Sequence, residues 1–454
     1  MSVSEDGAGT TVAIIGLGYV GACVAATLAD RGMRVVGVDI DTDLVAEVNR
    51  GHCRFREDRL AETVRAAVAA GRLRATTDPA AASGADVVVI TVGTPVAEDG
   101  SLADGQLRRA CESLAAHLRP GQLVVVKSTV PPGTTRGLVA PLLEAGGLRA
   151  GRDFRLVFTP ERLAEGAAMR ELRTLPIVVG GLDAEGTARA ADFWRRALEV
   201  ETIPVASAEV AEIVKLADNW WIDLNIAMAN ELAMYCSLYG VDALEVIAAA
   251  NTIPKGGGMV NILLPGVGVG GSCLTKDPLL VSESAARRGL EVRTAAAGRE
   301  VNAGMPGHTA RLVVDGLADL GRDIAGATVA VLGLAFKNDT GDLRATPVRG
   351  VVEALTKAGA RVRLHDPLVD AREAAAVFGT EPEPDLTGAV RDADCLAVLA
   401  YHRCFRELDL GALPVASPCL LVDGRAHLTT EEISQLTARG YAYRGIGRPA
   451  WPAR

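Results

Sequence analysis

The chain has 454 residues, too many for one ordinary core, so length alone predicts two or three domains, each with a sizeable apolar interior. It is 49% hydrophobic, 23% charged and 4% aromatic, with a formal net charge of -9 and a pI near 5.4. These values describe a globular α/β chain and argue against a protein built to neutralise a polyphosphate backbone, so no nucleic-acid partner is expected. The first ten residues, MSVSEDGAGT, have no basic start followed by an apolar run, and no apolar stretch reaches spanning length. Neither a leader nor a membrane segment is expected, and the cytoplasm is the default location. The eight cysteines, at 23, 53, 111, 236, 273, 395, 404 and 419, show no CxxC spacing and no His clustering, which argues against a metal site or a redox dithiol. All except Cys273 are expected to be mostly buried small hydrophobes.

In chain order, TVAIIGLGYVGACVAATLADRGMRVVGVDID reads as strand, glycine turn, helix and strand: Thr11 to Ile15, a helix from Ala22 to Arg31, then Arg34 to Val38. Gly16, Gly18 and Gly21, with Leu17, Tyr19 and Val20 between them, form G-x-G-x-x-G at the turn, and Asp39 ends the second strand. Glycines there allow a pyrophosphate to approach a helix N-terminus, and the acid accepts from a ribose diol. Asp39 would repel a 2′-phosphate, and IDTD adds negative charge with no nearby arginine to offset it, so NAD is favoured over NADP. Buried-strand runs follow at VVVITVG (87–93), LVVVKSTV (123–130) and FRLVFTP (154–160), an alternation that predicts a parallel sheet covered on both faces.

Near Val205 the pattern changes to a proline-free stretch of helical spacing, ASAEVAEIVKLADNWWIDLNIAMANELAMYCSLYG, apolar on more than one side. It reads as an inter-domain spine and a dimer interface. Lys215 and Asn219 stand at i and i+4 on it. In VGVGGSCLTKDP, the glycines at 268, 270 and 271 precede a predicted helix whose first turn holds Cys273, with Lys276 and Asp277 on the same face. Helix N–H groups and a nearby cation favour thiolate over thiol, which makes Cys273 a candidate reagent. Thr129, at a strand end, and Glu161 and Glu165, after another, fall where ligands of open α/β folds bind. Each of these also has a structural reading, as a strand-end residue, a helix N-terminal acid or a solvated lysine. From about Thr328 the sheet pattern restarts with TVAVLGLAFKNDTGDLR, then RVRLHDP, DCLAVLA and CLLVDGR; Ala335, Phe336 and Lys337 stand where the first copy has its glycine fingerprint. The expected fold is α/β, with two Rossmann-like doubly wound domains at residues 1–205 and 316–454 joined by a helical middle at 206–315.

GLGYVG, VGTP, KSTVPPGTT, TPERLAEG, AEIVKLADN, GVGGSCLTKD, FKNDTGDLR and VDGR, in this order along nearly the whole chain, resemble the UDP-glucose and UDP-N-acetylmannosamine dehydrogenases. The resemblance implies four-electron oxidation of a nucleotide-linked sugar from primary alcohol to carboxylate, with two NAD reduced, in a homodimer built on the central helix. Cys273 would form a thiohemiacetal whose oxidation leaves a thioester for water. It makes Lys215 and Asn219 stabilisers of the oxyanion, Asp277 and Thr129 holders of a water, and Glu161 an assistant in hydrolysis; Asp277, Lys215 and a Thr129-held water all stay open as the first base. Carried onto matching positions, Thr94, Pro95, Thr129, Glu165, Lys276 and Arg344 join the fingerprint in the cofactor site. Glu161, Arg162, Leu163, Ala164, Glu165, Leu263 and Gly268 would line the sugar nucleotide, and Phe336, Lys337 and Arg425 would hold its diphosphate.

The substrate signals diverge. The mannosamine branch commonly has His before the cysteine and Arg in the central helix, where this chain has Ser272 and Ile222, so a glucose nucleotide, of uridine or thymidine diphosphate, is favoured. DLNIAMANELA and ILLPGVGVGG read more like the acetamido-sugar branch. The arginine that glucose-type enzymes send to the partner's substrate has only Lys255 near its place. A two-electron hydroxyacid dehydrogenase with Cys273 as bystander, and a non-catalytic nucleotide sensor, are the readings from other classes.

Overall fold

The computed structural model describes residues 9–255 and 258–451, so the acidic start used above to argue against a leader lies largely outside the described residues. The chain forms two compact units, Met1–Asp218 with Leu279–Leu290, and Asn219–Pro278 with Glu291–Arg454.

The first unit carries eight strands: β1 (Thr11–Ile15), β2 (Arg34–Val38), β3 (Leu73–Thr76), β4 (Val87–Ile90), β5 (Leu123–Val126), β6 (Arg155–Phe158), β7 (Ile177–Gly181) and β8 (Thr202–Pro204). They form one sheet in the order β3-β2-β1-β4-β5-β6-β7-β8. The central strands are apolar at every position because both faces are covered. Val12, Ile14, Val87 and Val89 enter one core, while Ala13, Ile15, Val88 and Ile90 enter the other. The sheet departs from the expected all-parallel form at one place, the antiparallel pair β6 and β7.

Three predicted strands end early. After Ile90, Val126 and Phe158 one more N–H joins the ladder in each case, Thr91 to Ile15 O at 2.8 Å, Lys127 to Ile90 O at 2.9 Å and Thr159 to Val126 O at 2.9 Å. The chain then leaves the sheet, so VGTP, STVPPG and PERLAEG become loops at its carboxyl edge. The first helix runs Tyr19–Asp30, three residues earlier than expected, because Gly18 already serves as its N-cap.

The second unit contains the greater part of the helix Ala208–Leu238, whose 31 residues match the expected long helix, and a small hairpin of β9 (Pro254–Lys255) and β10 (Gly258–Met259). A 27-residue helix, Arg293–Asp319, follows. The second sheet comprises β11 (Thr328–Leu332), β12 (Arg361–His365), β13 (Cys395–Val398), β14 (Cys419–Asp423), β15 (Tyr441–Gly445) and β16 (Arg448–Trp451). Its order is β12-β11-β13-β14-β15-β16, and every pairing is parallel except that of β15 with β16. Again alternate residues of the first strand divide between two cores, Val329 and Val331 against Ala330 and Leu332. No helix among the described residues is long and apolar enough to cross a membrane. Cys23, Cys111, Cys236, Cys395 and Cys419 are buried and Cys53 partly so; Cys404, expected inside, is exposed, as is Cys273.

Candidate active site

The glycine turn of the first unit is shaped by close approach. Gly16 has φ +91°, and a Cβ on Gly21 would stand 1.9 Å from the Gly16 carbonyl oxygen. Beside Gly18 a Cβ would meet nothing within 4 Å, so the backbone faces open space. The helix that starts at Tyr19 has no side-chain cap and no acid in its first turn, which leaves its first N–H groups for an anion. Leu17 is buried beneath the turn and Val20 packs against the same core. Asp39 Oδ2 accepts from Leu17 N at 2.6 Å and Oδ1 from Asp41 N at 3.0 Å, so the acid fixes the turn. These residues fit a dinucleotide.

One expectation here needs correction: an arginine does stand near the acidic IDTD segment. Arg54 bonds Asp41 at 3.0 Å and Glu47 at 2.8 Å. With both partners acidic, its guanidinium is already committed and does not make a phosphate pocket.

The loops past β4, β5 and β6 hold the next group. Thr94 is buried and Pro95 exposed, with the Pro95 carbonyl accepting from Ala103 N at 2.9 Å. Thr129 is half-buried beyond β5. Glu161 Oε1 accepts from Leu163 N at 2.7 Å, while Oε2 lies 3.3 Å from Lys127 Nζ. Arg162 reaches Pro176 O at 3.0 Å, and exposed Ala164 is held through its N–H by Glu171 at 2.6 Å. Glu165 is half-buried in the same turn. Glu57, which carried no signal in the sequence, ties this loop to the glycine turn: it accepts from the Tyr19 hydroxyl and, at 2.7 Å, from Gly166 N. Burial and the Glu57 bond push the Tyr19 phenol far above its ordinary range. Glu212 is fully buried and accepts from Gly133 N at 2.6 Å and Thr135 N at 2.8 Å, fixing the loop after Thr129; burial pushes its carboxyl up, against those bonds. Lys215, on the same helix, is 7% exposed.

In the second unit the cysteine loop is pressed against Phe336. A Cβ on Gly270 would fall 2.4 Å from Phe336 Cβ, and one on Gly271, at φ +82°, 2.9 Å from the ring. Gly271 N also bonds the Arg344 carbonyl at 2.9 Å. The helix expected to begin at Cys273 begins at Asp277. Cys273 sits in the turn before it, its carbonyl accepting from Lys276 N at 3.1 Å and Asp277 N at 2.9 Å, because the Thr275 hydroxyl bonds back to Gly271 O at 2.6 Å and tightens the chain. Among the described residues the sulfur has Ser272 Oγ at 4.0 Å, and Lys276 is paired at 2.8 Å with Asp277 Oδ1 rather than with the thiol. Asp277 is fully buried, and its other oxygen accepts from Asn219 Nδ2. Asn219, Asp277 and Lys276 are thus one chain of contacts.

Leu263 N is held by Asn225 Oδ1 at 2.9 Å, and Gly268 has φ +122°. Arg425 donates to Leu399 O at 2.9 Å and Phe336 O at 2.6 Å, and burial brings its guanidinium down to about 10. Two of its nitrogens are committed to backbone, and Nη1 turns towards Gly266. Lys337 and Arg344 are exposed, the latter bonded to Asp342 at 2.9 Å. A buried relay also escaped the sequence reading. Asp223 pairs with Arg299 at 2.7 Å and accepts from Asn302 at 2.9 Å, Asn302 accepts from Asn230 at 2.9 Å, and Asn230 accepts from Gly266 N at 2.9 Å. Arg299 further reaches Leu274 O at 3.1 Å, so the relay grips the cysteine loop on both sides of the thiol. Its signal was present: Asp223 and Asn230 lie two turns apart on one side of an apolar helix.

Three family models match in succession: the NAD binding domain of the UDP-glucose/GDP-mannose dehydrogenase family at residues 10–198, its central domain at 209–304 and its UDP binding domain at 330–430. A UDP-N-acetyl-D-mannosamine dehydrogenase of Pyrococcus horikoshii is 33% identical over 439 residues, 96% of this chain and 99% of that one. An NDP-N-acetyl-D-galactosaminuronic acid dehydrogenase of Ralstonia solanacearum is 35% identical over 89% of this chain and 93% of its own. Among solved structures, a UDP-glucose dehydrogenase from Pyrobaculum islandicum superposes with a TM-score of 0.87 at 31% identity, covering 99% of this chain and 100% of that one. With a fitting dinucleotide cradle and all three domain models in order, the chain belongs to the UDP-glucose/GDP-mannose dehydrogenase family and is an NAD-dependent nucleotide-sugar dehydrogenase.

Proposed function

We propose that the chain oxidises a UDP-N-acetylhexosamine, UDP-N-acetyl-D-mannosamine first among them, at its primary alcohol to the uronate. This reverses the preference for a glucose nucleotide drawn from Ser272 and Ile222. Relatives named for acetamido sugars match over nearly their whole length, and DLNIAMANELA and ILLPGVGVGG point the same way. The match to a UDP binding domain favours uridine over thymidine.

The observation that carries the four-electron chemistry is the exposed Cys273 thiol on a loop fixed by glycine contacts and the buried relay. NAD, when bound, accepts the hydride in each of two oxidations. Between them Cys273 Sγ adds to the aldehyde carbon, giving a thiohemiacetal. Loss of the second hydride leaves a thioester, which water cleaves to carboxylate and free thiol. One alcohol, one water and two NAD thus give one carboxylate, two NADH and three protons. In this reading Asn219, held by Asp277, and Lys215 donate to the oxyanion, and Glu161 with Thr129 serves the water.

We also propose a homodimer. Trp221, Met228 and Tyr235 recur every seven residues on the long helix and are 49%, 53% and 58% exposed. Such a stripe suits self-packing of two copies. Met228→Glu should shift the sedimentation of the protein to a monomer; an unchanged dimer would exclude this face.

The substrate test is a panel of UDP-N-acetylmannosamine, UDP-N-acetylglucosamine and UDP-glucose, scored for NADH released per sugar consumed. Two equivalents with an acetamido sugar are expected, and a higher kcat/KM for UDP-glucose would overturn the assignment. Cys273→Ser should keep NAD binding and lose uronate formation by about 1000-fold or more; normal acid yield would end the thioester route.

A further inference from the structure

Lys127 has no place in the roles set out so far, yet it is the most deeply enclosed cation of the first unit's loops. It follows directly on β5, at the end of LVVVK, and is 4% exposed. A buried ammonium is costly unless it is compensated. Here its Nζ lies 3.3 Å from Glu161 Oε2 and 5.3 Å over the ring of Trp194, itself fully buried. Burying such a pair in an apolar wall is a poor source of stability, since apolar groups of the same volume do as well. The arrangement has a different property. Glu161 is held at two points, Oε1 by Leu163 N at 2.7 Å and Oε2 by the fixed charge beneath it. Oε2 is itself buried and accepts no aligned hydrogen bond among the described residues, so the ion pair with Lys127 is what orients that oxygen. The Glu161 side chain keeps 13% of its surface open.

We propose that Lys127 is the positioning residue for Glu161 and acts on hydrolysis of the acyl-enzyme, not on either oxidation. This rests on the thioester reading of Cys273 given above. In the step concerned, a water oxygen bonds to the thioester carbon while its proton passes to Glu161. The tetrahedral adduct then expels the Cys273 sulfur, the C–S bond breaks, and the sulfur leaves with its electron pair as the sugar carboxylate forms. No further oxidant takes part. Lys127 sets where the accepting oxygen stands; Trp194 sets where Lys127 stands.

The test compares the full chain with Lys127→Met, Lys127→Gln and Lys127→Arg, using NAD and the preferred sugar nucleotide. NADH is followed from the first turnover, and the intact mass of the enzyme is read at intervals. For the Met and Gln variants we expect two NADH per site at nearly the parent rate, then steady turnover about 10- to 100-fold slower, with an acyl adduct on Cys273. Lys127→Arg, which keeps the charge, should recover most of the rate. Unchanged steady turnover would overturn the proposal. So would slowing of the first oxidation without an adduct, or loss of NAD binding in both neutral variants, since either makes Lys127 a purely structural support. If the parent enzyme itself yields one NADH per sugar, or Glu161→Gln accumulates no adduct, the underlying thioester reading fails instead, and this inference with it.

Discussion

The two nucleotide folds of this chain begin alike and finish differently. TVAIIGL and TVAVLGL each form a central first strand, and each ends at a glycine with positive φ, Gly16 at +91° and Gly333 at +83°. Each glycine N–H bonds the last carbonyl region of the neighbouring strand, Val38 O at 2.8 Å and His365 O at 3.0 Å. The next N–H bonds a carboxylate, Leu17 to Asp39 at 2.6 Å and Leu334 to Asp366 at 2.7 Å. There the likeness stops. Asp39 is half-buried beside open backbone at Gly18, whereas Asp366 is buried and capped by fully buried His402, Nε2 to Oδ2 at 2.9 Å. His402 Nδ1 in turn accepts from Asp339 N at 2.8 Å. The same acid at the same corner stays open to solvent beside the glycine turn in the first fold and is closed by a side chain in the second.

The sharpest break of this comparison is at the closed corner. Asp366→Ala leaves His402, Leu334 N and Leu368 N without their acceptor and should cost about 3–5 kcal/mol of stability by denaturant titration. NAD affinity should hold in whatever stays folded. At the open corner, Gly21→Ala places a methyl 1.9 Å from Gly16 O; NAD affinity should fall about 100-fold by calorimetry while binding of UDP persists. Smaller still, Asp39→Ala should narrow the preference for NAD over NADP about 10-fold and cost about 1–3 kcal/mol of stability, because the Leu17 N–H loses its acceptor. A parent enzyme that already ignores the 2′-phosphate would contradict the role given to Asp39.

The smallest effect is in pH. Burial works to raise the Asp366 carboxyl, but the hydrogen bond from His402, with the N–H groups of Leu334 and Leu368, outweighs it and leaves the carboxyl below its ordinary value. A depressed carboxyl contributes stability that is full above its unfolded value, near pH 4, and lost as pH falls through the folded one. The gap in Tm between the parent and Asp366→Ala should therefore narrow as pH drops below about 4. A gap constant down to pH 2 would mean that the acid is held by packing alone.

How much of this was legible beforehand follows the range of the forces. The limits of β1, β2 and the long helix agree with their sequence patterns, because side-chain period and glycine placement act over a few residues. The glycine fingerprint, the restart near Thr328 and the family resemblance came from the same local order. Strand ends at 90, 126 and 158 were missed because the apolar run continues after the sheet's hydrogen bonds stop. The Cys273 turn was taken for helix because nothing local announces the Thr275 bond back to Gly271.

What the sequence alone determined is the order of elements, the dinucleotide turn and the glycine-rich loop that carries Cys273, each encoded by neighbours in the chain. Only the tertiary structure decided which polar groups are buried together. Lys127 and Glu161, Asp366 and His402, and Asp223 with Asn302 are pairs remote in sequence. Their physical meaning arises when folding removes water from both partners at once, since an ionic or amide group must then find its match in the chain itself.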